Sequence, residues 1–313
     1  MRREDARGHQ RGTRGAARLA ELETPSAGPD EVRVKVASSS LNGFDTAVVS
    51  GYMASFMEHR FPVVLGRDFA GTIDQVGPGV GGYAEGERVF GVVLGHPLQA
   101  GAFGEYVVVP AASLARVPDG LDLTTAGVLG LAGAAAETAV NAIDPRPGDT
   151  VLVAGATGGV GSIVVQLAAA RGAVVLATAS SPQGAELVRR LGAAHVIDYR
   201  HEFIPQVAAV APGGVRAVVH LAGDPFELAD LLAPGGRFTS LLGVGADQLV
   251  GRDLVAVPVN ADLAPAAMER LAGEVRAGRV SVPVQRVYEL DEVPQAFADF
   301  AGGTIGKLAV RVG

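Results

Sequence analysis

The chain has no cysteine among its 313 residues. That absence excludes disulfides, thiolate nucleophiles and cysteine-held zinc together. Histidine is scarce as well. The six are His9, His59, His96, His195, His201 and His220, and none form a pair with metal-ligand spacing. Each is expected to be structural, with His59 and His96 the two on loops that can reach a substrate. No apolar run attains the ~18 residues of a membrane-spanning helix, and the arginine-rich start lacks the apolar stretch of an export signal. No membrane partner and a cytoplasmic location are therefore expected. An excess of positive charge is also missing. The 26 Lys and Arg against 33 Asp and Glu leave a net charge of −7, which argues against a nucleic-acid partner. Charged residues make up 19% and hydrophobic residues 48%, a balance that supports a large packed core over disorder. The length allows two domains.

What is present centres on Val151-Leu152-Val153-Ala154-Gly155-Ala156-Thr157-Gly158-Gly159-Val160-Gly161. A β-branched apolar run reads as a buried strand, the glycines as a tight turn, and Ser162 to Ala168 as the helix that follows. In that context the turn can approach a pyrophosphate, which sits on helix N–H groups and the positive dipole end. Gly158, Gly159, Val160 and Gly161 are the candidate pyrophosphate contacts. Further strands are expected at 173–178, 196–197, 215–221 and 237–242, with helices running to Arg171, from Ser181-Pro182 to Arg190 and over 225–233 that use Pro, Ser and Gly as end signals. Strands alternating with helices predict a parallel, doubly wound Rossmann sheet.

The end of the second strand carries a further absence. An NAD site places an acid there, about 20 residues past the glycines. This chain has Thr178-Ala179-Ser180-Ser181, with no acid before Glu186. Hydroxyls can donate to a 2′-phosphate that a carboxylate would repel, so the pattern points to NADP(H). Ser180 and Ser181 are otherwise turn and helix-cap residues.

Residues 1–18 hold six arginines without apolar periodicity and read as a flexible basic arm. Residues 19–125 differ in style, with Glu31–Ala37 alternating and short strands expected at 61–65, 69–76, 88–94 and 106–109. Glycine-rich turns separate them, which suggests an antiparallel partial barrel. Residues 121–142 are helix-compatible and lead into a Rossmann domain at 126–261. The tail, 262–313, is expected to contribute helix 265–277, strand 280–287, helix 290–301 and a strand at 307–312 that rejoins the first domain.

This layout resembles the medium-chain dehydrogenase/reductase superfamily, whose small barrel is GroES-like. Six strings occur in family order: Gly28-Pro29-Asp30-Glu31-Val32, Ser40-Leu41-Asn42-Gly43-Phe44-Asp45, Leu65-Gly66-Arg67-Asp68-Phe69-Ala70-Gly71, Gly86-Glu87-Arg88-Val89, Gly101-Ala102-Phe103-Gly104-Glu105-Tyr106 and Leu232-Ala233-Pro234-Gly235-Gly236-Arg237. The third resembles the zinc-free quinone oxidoreductase branch. Zinc-carrying members need a cysteine and G-H-E where this chain has Gly66-Arg67-Asp68, so no catalytic metal is expected. Arg67 and Asp68 can form a local ion pair.

The resemblance implies hydride transfer from NADPH to a quinone or an α,β-unsaturated carbonyl, in a homodimer joined through strand 254–259. It assigns catalytic roles to Asn42, as an orienting amide, and to Tyr52, as a proton donor. It also places Ser180, Ser181, Tyr199 and Arg200 at the 2′-phosphate, and Leu242, Gly243 and Val244 near the nicotinamide. Three departures stand out. Gly184 replaces a lysine common in NADPH-using relatives, Ala135 replaces a cofactor-facing threonine, and the opening lacks the relatives' first strand. Alternative readings are an enoyl-thioester reductase and a non-redox NADP(H)-binding protein or cyclase.

Overall fold

The computed structural model describes residues 4–10, by their backbone, and 15–313. The chain divides into two compact units, Met1–Leu131 with Leu263–Gly313, and Ala132–Asp262. The first opens with β1 (Glu4–Gln10) antiparallel to β2 (Arg18–Glu23). This corrects the flexible arm for residues 4–10 and supplies an opening strand. β1 has no apolar alternation to betray it, because its pairing is a backbone ladder and the partner lies elsewhere in sequence. Arg2, Arg3, Arg11 and Arg14 lie outside the described residues.

β3 (Glu31–Ser40), α1 (Gly43–Val49) and β4 (Val63–Val64) follow, and β4 pairs with β1. Val32, Val34 and Val36 of β3 are buried as their alternation predicts. The strand runs beyond the expected Ala37 through Ser38-Ser39-Ser40, all buried. Three serines in a row give no apolar signal, yet Ser39 Oγ donates to Asp68 O at 2.6 Å and Ser40 Oγ to the Asp68 carboxylate. β5 (Asp68–Val76), β6 (Arg88–Val92), β7 (Tyr106–Pro110) and β8 (Leu114–Arg116) complete the run, all joined by antiparallel pairing.

The helix expected over 121–142 is two helices, α2 (Leu123–Gly127) and α3 (Gly130–Ile143). Packing decides the break. A Cβ on Gly127 would lie 2.8 Å from Ser38 O, so glycine lets α2 sit against β3, while Asp68 Oδ1 accepts from Leu131 N at 2.6 Å and fixes the start of α3.

The second unit alternates, with a helix between the third and fourth strands that was not among the expected elements: β9 (Thr150–Ala154), α4 (Gly159–Ala170), β10 (Val174–Thr178), α5 (Pro182–Arg190), β11 (His195–Ile197), α6 (Phe203–Val210), β12 (Val215–His220), α7 (Pro225–Asp230), β13 (Leu232–Ser240) and β14 (Leu254–Pro258). Among the described residues its sheet has the order β11-β10-β9-β12-β13-β14 with every pair parallel. That is the doubly wound arrangement, in which the order reverses beside the first strand and ligands bind at the carboxyl ends there. Leu152, Leu176, Ile197, Val218 and Phe238 form its core.

The tail returns to the first unit as α8 (Pro265–Arg276), β15 (Val284–Glu289), α9 (Val293–Ala301) and β16 (Lys307–Arg311). Met268, Leu271 and Ala272 of α8 pack with Ala70, Phe90 and Leu129. β16 pairs antiparallel with β3 and parallel with β15. The parallel pair departs from a purely antiparallel unit, and α9 provides the crossover that such a pair requires.

Candidate functional site

In the second unit the glycine turn joins β9 to α4. Gly155 has φ +88°, and a Cβ on Gly161 would stand 2.2 Å from Gly155 O. Neither position admits a side chain without moving the turn. α4 is capped by Gly158, which offers no side-chain acceptor. The N–H groups of Gly159, Val160 and Gly161 are therefore left for a ligand at the positive end of a twelve-residue helix. Thr178, which sequence reasoning did not single out, braces the turn: its Oγ1 accepts from Gly155 N at 2.9 Å and donates to Val153 O at 3.2 Å.

Beyond β10, Ser180 Oγ and the Tyr199 hydroxyl are 2.8 Å apart, and the Arg200 guanidinium lies 5.8 Å from the Tyr199 ring centre. Three of the four residues proposed for a 2′-phosphate thus share one exposed corner. Ser181 caps α5, accepting from Gly184 N at 3.1 Å. Gly184 itself is crowded. A Cβ there would meet Thr157 Cγ2 at 2.9 Å, which gives a steric reason for the missing lysine. Ala135 is buried in α3.

Past β13 the loop with Leu242, Gly243 and Val244 is anchored by a buried pair. Leu242 N donates to Ser240 Oγ at 3.0 Å, and His220 faces the same oxygen through Nδ1 at 3.0 Å. His220 Nε2 lies 3.2 Å from Gly223 O, a pure acceptor, so the proton belongs on Nε2 and Ser240 donates to Nδ1. Burial pushes the imidazole below its ordinary pKa and keeps it neutral. Leu242 is exposed, Gly243 has φ +77° and Val244 packs on the core. A surface groove of about 650 Å³, lined by Ile204, Asp224, Phe226, Glu227, Asp230 and Leu231, includes none of these residues.

In the first unit Asn42 is the N-cap of α1. Its Nδ2 donates to Ser40 O at 3.2 Å and Asp68 Oδ2 at 2.9 Å, while Oδ1 accepts from Lys307 Nζ at 2.6 Å. Lys307 also donates to Leu41 O and lies 3.4 Å from Asp68 Oδ2. Sequence reasoning missed Lys307 because it lies 265 positions from Asn42. Asp68 pairs with Lys307, and the expected Arg67–Asp68 ion pair is absent among the described residues. Arg67 turns away instead, donating to Val93 O at 2.8 Å with its guanidinium 4.2 Å from the Phe44 ring centre. Asp45 is buried and accepts from Asn42 N and Gly66 N, both at 2.9 Å. Burial pushes its carboxyl up to about 6. Tyr52 is 65% exposed in a short 3₁₀ turn, 5.1 Å from the Phe56 ring, and its hydroxyl has no partner among the described residues. His59 Nδ1 is 2.8 Å from Met57 O, and His96 is exposed. Among the described residues no cluster of His, Asp or Glu could hold a metal.

Comparison with known proteins places this geometry. The Alcohol dehydrogenase GroES-like domain family matches residues 28–119, and the Zinc-binding dehydrogenase family matches residues 159–260. YhfP of Bacillus subtilis (strain 168), which carries a quinone oxidoreductase name, is 30% identical over 93% of this chain and 93% of its own length. The phthioceranic/hydroxyphthioceranic acid synthase of Mycobacterium tuberculosis (strain ATCC 25618 / H37Rv) is 36% identical over 71% of this chain, which spans 10% of that synthase. The solved quinone oxidoreductase of Pseudomonas syringae pv. Tomato DC3000 superposes with a TM-score of 0.87 at 27% identity, covering 98% of this chain and 100% of that one. Oxidoreductases of this kind normally bind a nicotinamide cofactor, and the glycine turn fits its pyrophosphate. Fold, motif order and full-length similarity agree, and the chain belongs to the medium-chain dehydrogenase/reductase superfamily, in its quinone oxidoreductase-like branch.

Proposed function

We propose that this oxidoreductase takes NADPH and reduces a quinone or an α,β-unsaturated carbonyl without a metal. The observation that supports it most is the end of β10, where Ser180 and Tyr199 present paired hydroxyls and no carboxylate precedes Glu186. Arg200 adds positive charge beside them. The cofactor supplies a hydride to the acceptor's β carbon. Negative charge then gathers on the carbonyl oxygen, and a proton must reach the α carbon or that oxygen.

On this reading the Tyr52 hydroxyl, which is exposed and unspent, supplies the proton. Asn42 serves differently. Both hydrogens of its amide are used by Ser40 and Asp68, so toward a ligand it offers the remaining acceptor capacity of Oδ1. Leu242-Gly243-Val244, held by the Ser240–His220 pair, lies along the nicotinamide. Two copies join through β14, the edge strand of the parallel sheet, across a two-fold axis.

The test is NADPH consumption, followed by absorbance, with a benzoquinone, a simple enone and an enoyl thioester side by side. Turnover with at least one acceptor is expected, with NADPH favoured over NADH by about tenfold or ~1.4 kcal/mol. Preference for NADH would remove the NADP reading. The enoyl-thioester reading draws on the 36% identity to a segment of the phthioceranic/hydroxyphthioceranic acid synthase. Under that reading the thioester is the preferred acceptor and Tyr52→Phe lowers its turnover.

A further inference from the structure

Arg67 is the one arginine among the described residues that the fold buries, with 6% of its surface exposed. A buried guanidinium is costly unless it is both hydrogen-bonded and paired with an anion. The exposed and half-buried arginines show the usual solution: Arg33 meets Asp74, Arg252 meets Asp230 and Arg279 meets Glu274. Lys307, the other buried cation, has Asp68, Asn42 and Leu41 around it. Arg67 has no carboxylate partner among the described residues. Asp45 acts on it through space, but the Asp45 oxygens take the N–H groups of Asn42 and Gly66.

The side chain is nevertheless fixed in place. Nη1 donates to Val93 O, Val93 N donates to Arg67 O at 2.7 Å, and the Phe44 ring covers one face of the guanidinium. Among the described residues Nε and Nη2 are left without an acceptor. They are not sealed in, because the fully shielded and unpartnered side-chain atoms among the described residues are Ser38 Oγ and His59 Nε2. A rigid cation therefore presents unspent N–H donors to accessible space, beside Asp68 and within the field of Asp45, the two carboxylates that hold Asn42. A planar fork of that kind matches a carboxylate through two parallel bonds, and a neutral carbonyl uses only one of them.

We propose that Arg67 binds the carboxylate of the acceptor, so that the substrate class is an α,β-unsaturated acid in preference to a neutral enone or quinone. The assignment rests on the hydride-transfer reading above. It is tested with acrylate and its uncharged methyl ester as acceptors, and with propionate, which cannot be reduced, as a binding probe in ligand-observed NMR. Wild type, Arg67→Met and Arg67→Lys are compared, each first shown to be folded by its thermal transition. Arg67→Met is expected to lower the acrylate-to-ester ratio of kcat/KM by at least tenfold and to abolish the propionate signal. Arg67→Lys, which keeps charge but loses the fork, is expected to fall between, and it carries the test alone should the Met variant not fold.

An unchanged ratio, equal losses with both acceptors, or propionate binding that ignores the substitutions would overturn the assignment. Loss of propionate binding in the variants without NADPH consumption by wild type would sink the hydride-transfer reading and leave the anion site standing. Reduction of the ester with no propionate binding by wild type would do the reverse.

Discussion

At the scale of single residues, Asp45 and Gly161 carry the sharpest consequences. Asp45 is shifted from 3.8 to about 6, chiefly by desolvation. Between about pH 4 and 6 the folded chain keeps a proton that the unfolded chain has released. Stability from this group is complete below that window and is lost as the pH rises through it, by roughly 3 kcal/mol in all. Urea unfolding at stepped pH should show that decline in the wild type and not in Asp45→Asn, whose own cost is a pH-independent offset. An equal slope in both would refute the assignment. Gly161→Ala places a methyl group 2.2 Å from Gly155 O. It should destabilise by about 1–3 kcal/mol and weaken dinucleotide binding at least tenfold by calorimetry. Gly213→Ala, with nothing within 4 Å, is the control expected to do neither.

At the scale of elements, the two serines after β10 separate a structural duty from a binding one. Ser181 caps α5 in the structure, so Ser181→Ala should cost about 1 kcal/mol in unfolding free energy. Ser180 bonds an exposed tyrosine at the surface. Ser180→Ala should leave the unfolding midpoint nearly unmoved and reduce the preference for NADPH over NADH. If both substitutions had the same effect, that division of labour would be wrong. The elements were legible where their signals are local: Pro and Ser at the start of α5, glycine past its end, β-branched runs for β9 and β10. They were illegible where a partner decides. β1 has no apolar pattern, the serine end of β3 is satisfied by Asp68, and the break between α2 and α3 comes from Ser38 and Asp68.

At the scale of the whole molecule, the parallel sheet ends in β14, whose outer edge has no strand partner within the chain among the described residues. An unpaired edge is a template for another strand. Light scattering after size exclusion should therefore give twice the 31.8 kDa chain mass, and Val255→Pro in β14 should shift the protein toward monomer. A wild-type mass of a single chain would remove the dimer. None of the described helices is long and apolar enough to cross a membrane.

The βα rhythm around β9 and β10, the glycine turn, the acid-free end of β10 and the absence of any cysteine-based metal site were determined by the sequence alone. They follow from short-range rules: side-chain periodicity, capping chemistry, positive φ and residue inventory. Only the tertiary structure could join Lys307 to Asn42 across 265 positions and to Asp68 across 239. It alone could decide that Asp68 would take lysine as its ion partner and that its neighbour Arg67 would turn to Val93 and Phe44. Burial and hydrogen-bond completion are properties of the assembled chain, and no local pattern records which distant group will complete them.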